Sequence, residues 1–180
     1  MDIKKLGNSL LIFTINRLIE ILGIFIFCFG VLLFISLISY SPSDPNFIFP
    51  ENTKIQNILG FQGSYTADLF FQSSGLVAFL IPFTFIFTGI NIFRKKEIFL
   101  LIENTFFITL YTLVGTLFFG FYYENSFSFY INGNGGFIGN YLNKTSLVNV
   151  ISSYENVFYY LFLLLILSLF LKSLNFSIKS

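Results

Sequence analysis

Histidine is absent from this sequence, and cysteine occurs once, as Cys28. The first absence removes the commonest general base and the commonest metal ligand. The second excludes an intramolecular disulfide and any C-x-x-C site. Charge is scarce as well: Asp, Glu, Lys and Arg make up 11% of the chain, against about 25% in soluble domains. No Gly-Lys dipeptide occurs, so there is no P-loop, and neither H-E-x-x-H nor a Ser/His/Asp set can be assembled. A net charge of +1 gives no overall basic signal for nucleic acid. No enzyme is expected within these residues, and no cofactor or metal.

What the sequence has instead is apolar bulk. Hydrophobic residues make up 55% of it, with 28 Phe among them. A soluble fold could not hide so many, whereas lipid accepts them directly. Four runs are long enough to cross about 30 Å of hydrocarbon, which takes roughly 20 helical residues. They are Leu18 to Ser39, Leu69 to Phe93, Ile98 to Phe121 and Val157 to Leu174. The helix of the last run is expected to start upstream near Val148, giving a span of about 152–174. Each run must be helical, because an open strand would leave backbone groups unpaired in lipid. The expected fold is therefore an all-α membrane protein. It has four transmembrane helices, with short amphipathic or re-entrant helical segments in two extracytoplasmic loops. Residues 1–17 form an N-terminal cytoplasmic segment, 18–176 the transmembrane domain and 177–180 a cytoplasmic tail.

The cations set the orientation. Lys4, Lys5, Arg17, Arg94, Lys95, Lys96, Lys172 and Lys179 fall on one side, and only Lys54 and Lys144 on the other, 8 against 2 of the 10. By the positive-inside rule both termini and the "RKKE" turn are cytoplasmic. The loops at about 40–66 and 122–147 face the opposite compartment, which leaves Ser43 and Asn134 open to it. The first run exceeds the apolar stretch of about 7–15 residues in a signal peptide, so it reads as an uncleaved anchor.

The loops carry the unusual spellings. In "LISYSPSDPNF", residues 37–47, Pro42 and Pro45 lack N–H groups and restrict the residues before them, so the first helix must stop near Tyr40. Asp44 directly before Pro45 suits an N-cap followed by proline at the first helical position of a short turn. In "NILGFQGSYTADLFFQSSG", residues 57–75, Gly60 and Ser64 are four apart, as are Gly63 and Ala67. Small residues at that spacing let helix backbones approach closely. An amphipathic helix leading into the second span is expected, with a bend at Gly75. Asp68 is expected at the boundary, facing water and headgroups. Pro82 should kink the second span. Glu103 lies one turn inside the third, within reach of Arg94, Lys95 or Lys96 by snorkelling. In "NGNGGFIGNYL", residues 132–142, the position three after Gly135 is Ile138, so the dinucleotide fingerprint is not met. A turn and then a helix from about Gly136 is expected, with Gly135, Gly136 and Gly139 allowing close approach to a neighbour.

Taken in order, "ISYSPSDPNF", "NxxGxxGxxxADxxFQxxG", the proline of the second span and "GGFIG" resemble the N-terminal four-span membrane domain of FtsK-type DNA translocases. The resemblance covers about residues 15–176. It implies an anchor in the bacterial inner membrane at the division septum, multi-pass, in contact with lipid and with other cell-division membrane proteins. It also implies a homo-oligomer, hexameric through the motor, with roles in cell division and chromosome partition. The ATP-driven motor and the DNA-reading part cannot be placed on any residue here, so this segment is expected to make no direct nucleic-acid contact. A fragment, a truncated product and a stand-alone homologue all stay open. The other functional class is a small four-span transporter or channel subunit. Such a protein should show polar residues at bilayer depth, broken helices or internal repeats. The spans read as poor in such polar groups, which favours the scaffold.

Overall fold

The computed structural model describes residues 3–45, 54–124 and 132–175. Asn46 and Phe47 of the first loop spelling and the tail at 177–180 lie outside the described residues. The chain is helical, and no strand occurs among the described residues. Among the described residues four helices are long and apolar enough to cross a membrane.

Helix α1 runs Ile3–Ile38 without a break, 36 residues or about 54 Å at the helical rise. The segment before Leu18 is thus helical and continuous with the first span. Helix α2 (Gly60–Ser74) follows the first long loop. A 3₁₀ segment (Gly75–Phe79) then leads into α3 (Leu80–Lys95). The bend expected at Gly75 is present, with φ 58° and ψ −141°. Pro82 does not kink a helix. It is the third residue of α3, where its missing N–H is one of the four that have no helical partner anyway. The interruption lies upstream, in the 3₁₀ segment. Together the 3₁₀ segment and α3 reach about 34 Å, enough to cross the hydrocarbon.

A tight turn joins α3 to α4 (Phe99–Tyr122). Lys96 closes α3 in the left-handed conformation, φ 60°, and its N–H bonds the Ile92 carbonyl. Its ammonium reaches Glu20 on α1 at 3.0 Å, and Arg17 pairs with the same carboxylate. The snorkelling expected toward Glu103 therefore goes to Glu20. Glu103 is exposed and takes no ion pair among the described residues. After the second loop come α5 (Gly136–Leu142), α6 (Leu147–Ser153) and α7 (Glu155–Ser173). The upstream helix expected near Val148 is α6. It is set off from α7 at Tyr154, with φ −136° and ψ 45°.

Helix α1 packs along α3, and α4 along α7. The α1–α3 seam closes to bare backbone at its glycines, beside side-chain contacts such as Phe29 with Phe85 and Phe34 with Phe83. A Cβ on Gly89 would lie 2.5 Å from the Phe27 nitrogen and 2.6 Å from the Gly23 oxygen. One on Gly30 would lie 2.8 Å from the Ile86 nitrogen. Close backbone approach of this kind replaces the hydrophobic drive that lipid does not supply between helices. Gly23, Gly30 and Gly89 were not singled out in the sequence. The seven-residue interval between the first two, two helical turns, was the available signal.

The bundle also holds a polar ladder that the sequence reading of the spans did not anticipate. The Thr84 hydroxyl bonds the hydroxyls of Tyr111 at 3.1 Å and Ser173 at 2.8 Å. Asn104 donates to Thr88 at 2.7 Å, and Asn175 donates to Asn104 at 2.5 Å. Thr84, Thr88, Asn104, Tyr111 and Ser173 are all buried. The ladder ties α3, α4 and the end of α7. Away from it α7 is largely exposed, with only Phe162 and Ser173 buried along the helix. That suits a face covered by lipid.

The glycine seam makes a stability prediction. Gly89→Val should lower resistance to unfolding in mixed micelles by about 1–3 kcal/mol, because the clashing atoms are backbone and cannot rotate away. Gly7→Ala should not, since among the described residues nothing lies within 4 Å of that position. Denaturant titration followed by circular dichroism reads both.

Candidate functional site

The long loops and short helices gather at one end of the bundle, and the "RKKE" turn lies at the other. At the loop end α1 stops after Ile38, and the Asp44 N–H bonds the Ser41 carbonyl at 3.1 Å. That turn folds the Asp44 carboxylate inward, where it is 2% exposed. Its two oxygens accept the backbone N–H groups of Gln56 and Asn57, each at 2.8 Å. The helical turn expected to follow Pro45 lies outside the described residues; the Asp44 carboxylate caps the chain entering α2, 12 and 13 residues downstream.

Asn57 completes the clasp. Its amide donates to the carbonyls of Ser36 at 2.9 Å and Ser39 at 3.2 Å. Those carbonyls belong to the end of α1, where helical partners run out. The Asn57 side-chain oxygen accepts the Leu59 N–H at 3.0 Å. Ser39 Oγ accepts the Ile58 N–H at 3.2 Å. Ser36 donates to the Gly63 carbonyl at 2.5 Å, and Ser64 to that of Pro45 at 2.7 Å. Three pieces of chain are stitched into one body: the end of α1, the SPSDP turn and the start of α2. Asn57, Ser36, Ser39 and Ser64 were not singled out as site residues. Asn57 heads the second loop spelling, which was its only signal.

The predicted positions divide by role. Pro42 is exposed on the turn, and Pro45 is buried. Among the described residues nothing lies within 4 Å of the would-be Cβ of Gly60, and its φ of 67° is what starts α2. Gly63 is a packing position, filled by the Asn57 side chain. Asp68 does not face water and headgroups. It is 4% exposed and accepts from the Tyr40 hydroxyl at 3.2 Å and the Gln72 amide at 3.4 Å. The Tyr40 ring packs edge-on to Phe71, which brings its hydroxyl to the carboxylate.

A second junction lies beside the first. The Asn134 carbonyl accepts the Leu76 N–H at 2.9 Å, just past the Gly75 bend. Gly136, with φ 64°, sits so close to the bend that a Cβ would be 2.7 Å from the Gly75 nitrogen and the Ser73 carbonyl. Gly135 lies against Thr116 and Gly120 of α4, at 2.5 Å and 2.7 Å by the same measure, and Gly139 against Thr116. Asn132 pairs with Gln72 through both its backbone N–H and its side-chain amide. Asn134 is thus fully buried, not open to solvent as its loop position suggested. Its amide donates to the Tyr123 carbonyl.

Chemically, both junctions are structural. Among the described residues no three His, Cys, Asp or Glu side chains come together. The carboxylates of Asp44 and Asp68 are committed to hydrogen bonds. What remains outward is a fixed surface with exposed Ile58, Phe61, Phe137 and Tyr141.

Removing the Asp44 carboxylate should open the clasp. Asp44→Ala leaves two N–H groups without acceptors, a loss of about 1–3 kcal/mol each where they stay buried. Limited proteolysis in micelles should then cut between residues 40 and 60 at a lower protease dose. Asp44→Asn should be intermediate. Asp44→Ala and Asn57→Ala combined should cost less than the sum of the singles, because they act on one network.

Comparison with known proteins places this arrangement. A family profile described as the 4TM region of DNA translocase FtsK/SpoIIIE matches residues 16–178. The DNA translocase FtsK of Rickettsia typhi is 28% identical over 90 residues, covering 48% of this chain and 12% of the relative. That of Rickettsia bellii is 37% identical over 60 residues, covering 33% and 8%. That of Rickettsia prowazekii is 29% identical over 84 residues, covering 45% and 11%. The matched stretches therefore span 8% to 12% of these relatives' length. No solved structure matches. The clasp, the glycine junctions and the four spans all fall inside the matched region, and the chain belongs to the four-span membrane region of the FtsK/SpoIIIE DNA translocases.

Proposed function

We propose that this domain anchors an FtsK-like DNA translocase in the bacterial inner membrane at the division septum, with its loop end docking other division proteins. The family match supports the anchoring half. The charge asymmetry supports an orientation with both termini and the "RKKE" turn cytoplasmic. The observation that carries the docking half is the clasp. Asp44, Asn57 and three serines are committed to fixing the shape of the loop end, and among the described residues no metal-ligating cluster accompanies them. A rigid, shaped surface with apolar side chains at its edge is what a protein partner can recognise.

The motor that would move DNA belongs to parts of the relatives outside the matched stretches. On this reading no residue here binds ATP or DNA, and oligomerisation follows the motor, as a hexamer. One observation favours the second reading, a small transporter or channel subunit. The ladder from Thr84 to Asn175 puts polar groups at bilayer depth. Its members bond one another, however, and it contains no carboxylate and no cation.

A fluorescent fusion of the chain should collect at midcell in dividing bacteria. Uniform membrane staining through division would reject the septal role. Orientation is read in a Cys28→Ser background. Ser43→Cys and Lys144→Cys should react with an impermeant thiol reagent added outside the inner membrane, and Lys95→Cys should be protected. The reverse pattern would invert the topology.

A further inference from the structure

The α1–α3 seam opens on one side into a groove of about 460 Å³. The contact of Gly23 with Gly89 forms its floor, Phe27, Ile90 and Phe93 line it, and Arg94 stands at its mouth. The apolar side chains on either side of that backbone contact make a slot between two spans, at a depth where the surroundings are lipid. The volume lies within the range of about 300–1,000 Å³ typical of small-molecule sites. Arg94 is the cation at this slot. Lys96, two residues on, is instead held by Glu20, which also takes Arg17. Among the described residues Arg94 has no ion-pair partner.

We infer that this groove is a binding site for an anionic phospholipid. One acyl chain lies on the glycine floor between Phe27 and Phe93, and the headgroup phosphate meets the Arg94 guanidinium. Two features of the groove argue for that occupant. An acyl chain matches an apolar slot that runs along the spans. A phosphate matches a planar guanidinium at the membrane boundary, where it can be held through two parallel hydrogen bonds. Basic pockets between transmembrane helices are known to take acidic headgroups. The chemistry does not depend on which compartment the "RKKE" turn faces, nor on the partners of the loop end.

The sequence contains no Trp, so a single introduced Trp reports its own surroundings. The full chain is reconstituted in phosphatidylcholine with brominated phosphatidylglycerol or brominated phosphatidylcholine at equal mole fraction. In Ile90→Trp, quenching should favour phosphatidylglycerol about fivefold, the factor expected for one basic residue at an anionic surface. In Leu167→Trp, on the lipid-facing side of α7, no such preference should appear. Adding Arg94→Gln to Ile90→Trp should abolish the preference while leaving quenching by phosphatidylcholine intact, and Arg94→Lys should restore part of it. Equal preference at both reporters, or a preference that survives Arg94→Gln, overturns the assignment. So does an Ile90→Trp reporter shielded from both lipids as the protein-to-lipid ratio rises, which would put a second copy of the chain in the groove.

Discussion

The Asp44 carboxylate holds two backbone N–H groups at 2.8 Å, and the loop end is organised around that contact. A chain leaving a helix at a membrane boundary faces a specific difficulty. The last carbonyls of α1 and the first amides of the next segment lose their helical partners where water is scarce. Here the two needs are met from the same few residues. Asp44 accepts the amides of Gln56 and Asn57, and that fixes Asn57 where its own amide can serve the carbonyls of Ser36 and Ser39. Serines on both sides then close the remaining gaps. None of these bonds is independent of the others. A proline on each side of Ser43 and Asp44 fixes φ at both ends of the turn and narrows the positions the carboxylate can take.

The rest of the packing depends on glycine in a different way. At Gly23 with Gly89, and at Gly75 with Gly136, backbone meets backbone with no room for a Cβ. In lipid, helices gain little from burying apolar side chains against one another, so contact distance and hydrogen bonds must supply the attraction. The glycine seam supplies the first between α1 and α3. The Thr84–Tyr111–Ser173 and Thr88–Asn104–Asn175 bonds supply the second among α3, α4 and α7.

Much of this was legible in the sequence because composition and spacing carry it. Length of apolar run gives the four membrane-crossing helices, and the loop spellings lead to the family. The helices in the loops follow from Gly75, Gly136 and the small-residue spacing. What was not legible depends on partners far away in the chain. Asp68 looks like a boundary carboxylate until Tyr40, 28 positions earlier, is seen to reach it. Asp44 before Pro45 has the local spelling of a helix cap, and only tertiary structure reveals that it takes the amides of Gln56 and Asn57. Pro82 reads as a kink because sequence does not show that the helix restarts two residues before it. The polar ladder was missed because Thr, Ser and Asn each look unremarkable alone. Thr84 and Thr88, one turn apart, become informative only when Asn104 and Ser173 face them.

Helix α1 joins several of these features. Its loop end leads into Ser36 and Ser39 of the clasp, its middle carries Arg17 and Glu20 beside the turn, and the glycine seam lies between the two. Between Ile3 and Ile38 nothing interrupts it. A rod of that length exceeds the hydrocarbon thickness, and such helices settle by tilting. Because there is no hinge along it, a tilt imposed at one membrane face reappears at the other as a displacement in the opposite sense. The two faces are therefore joined by one lever: a load on the clasp would be felt as an angle at the N-terminal end.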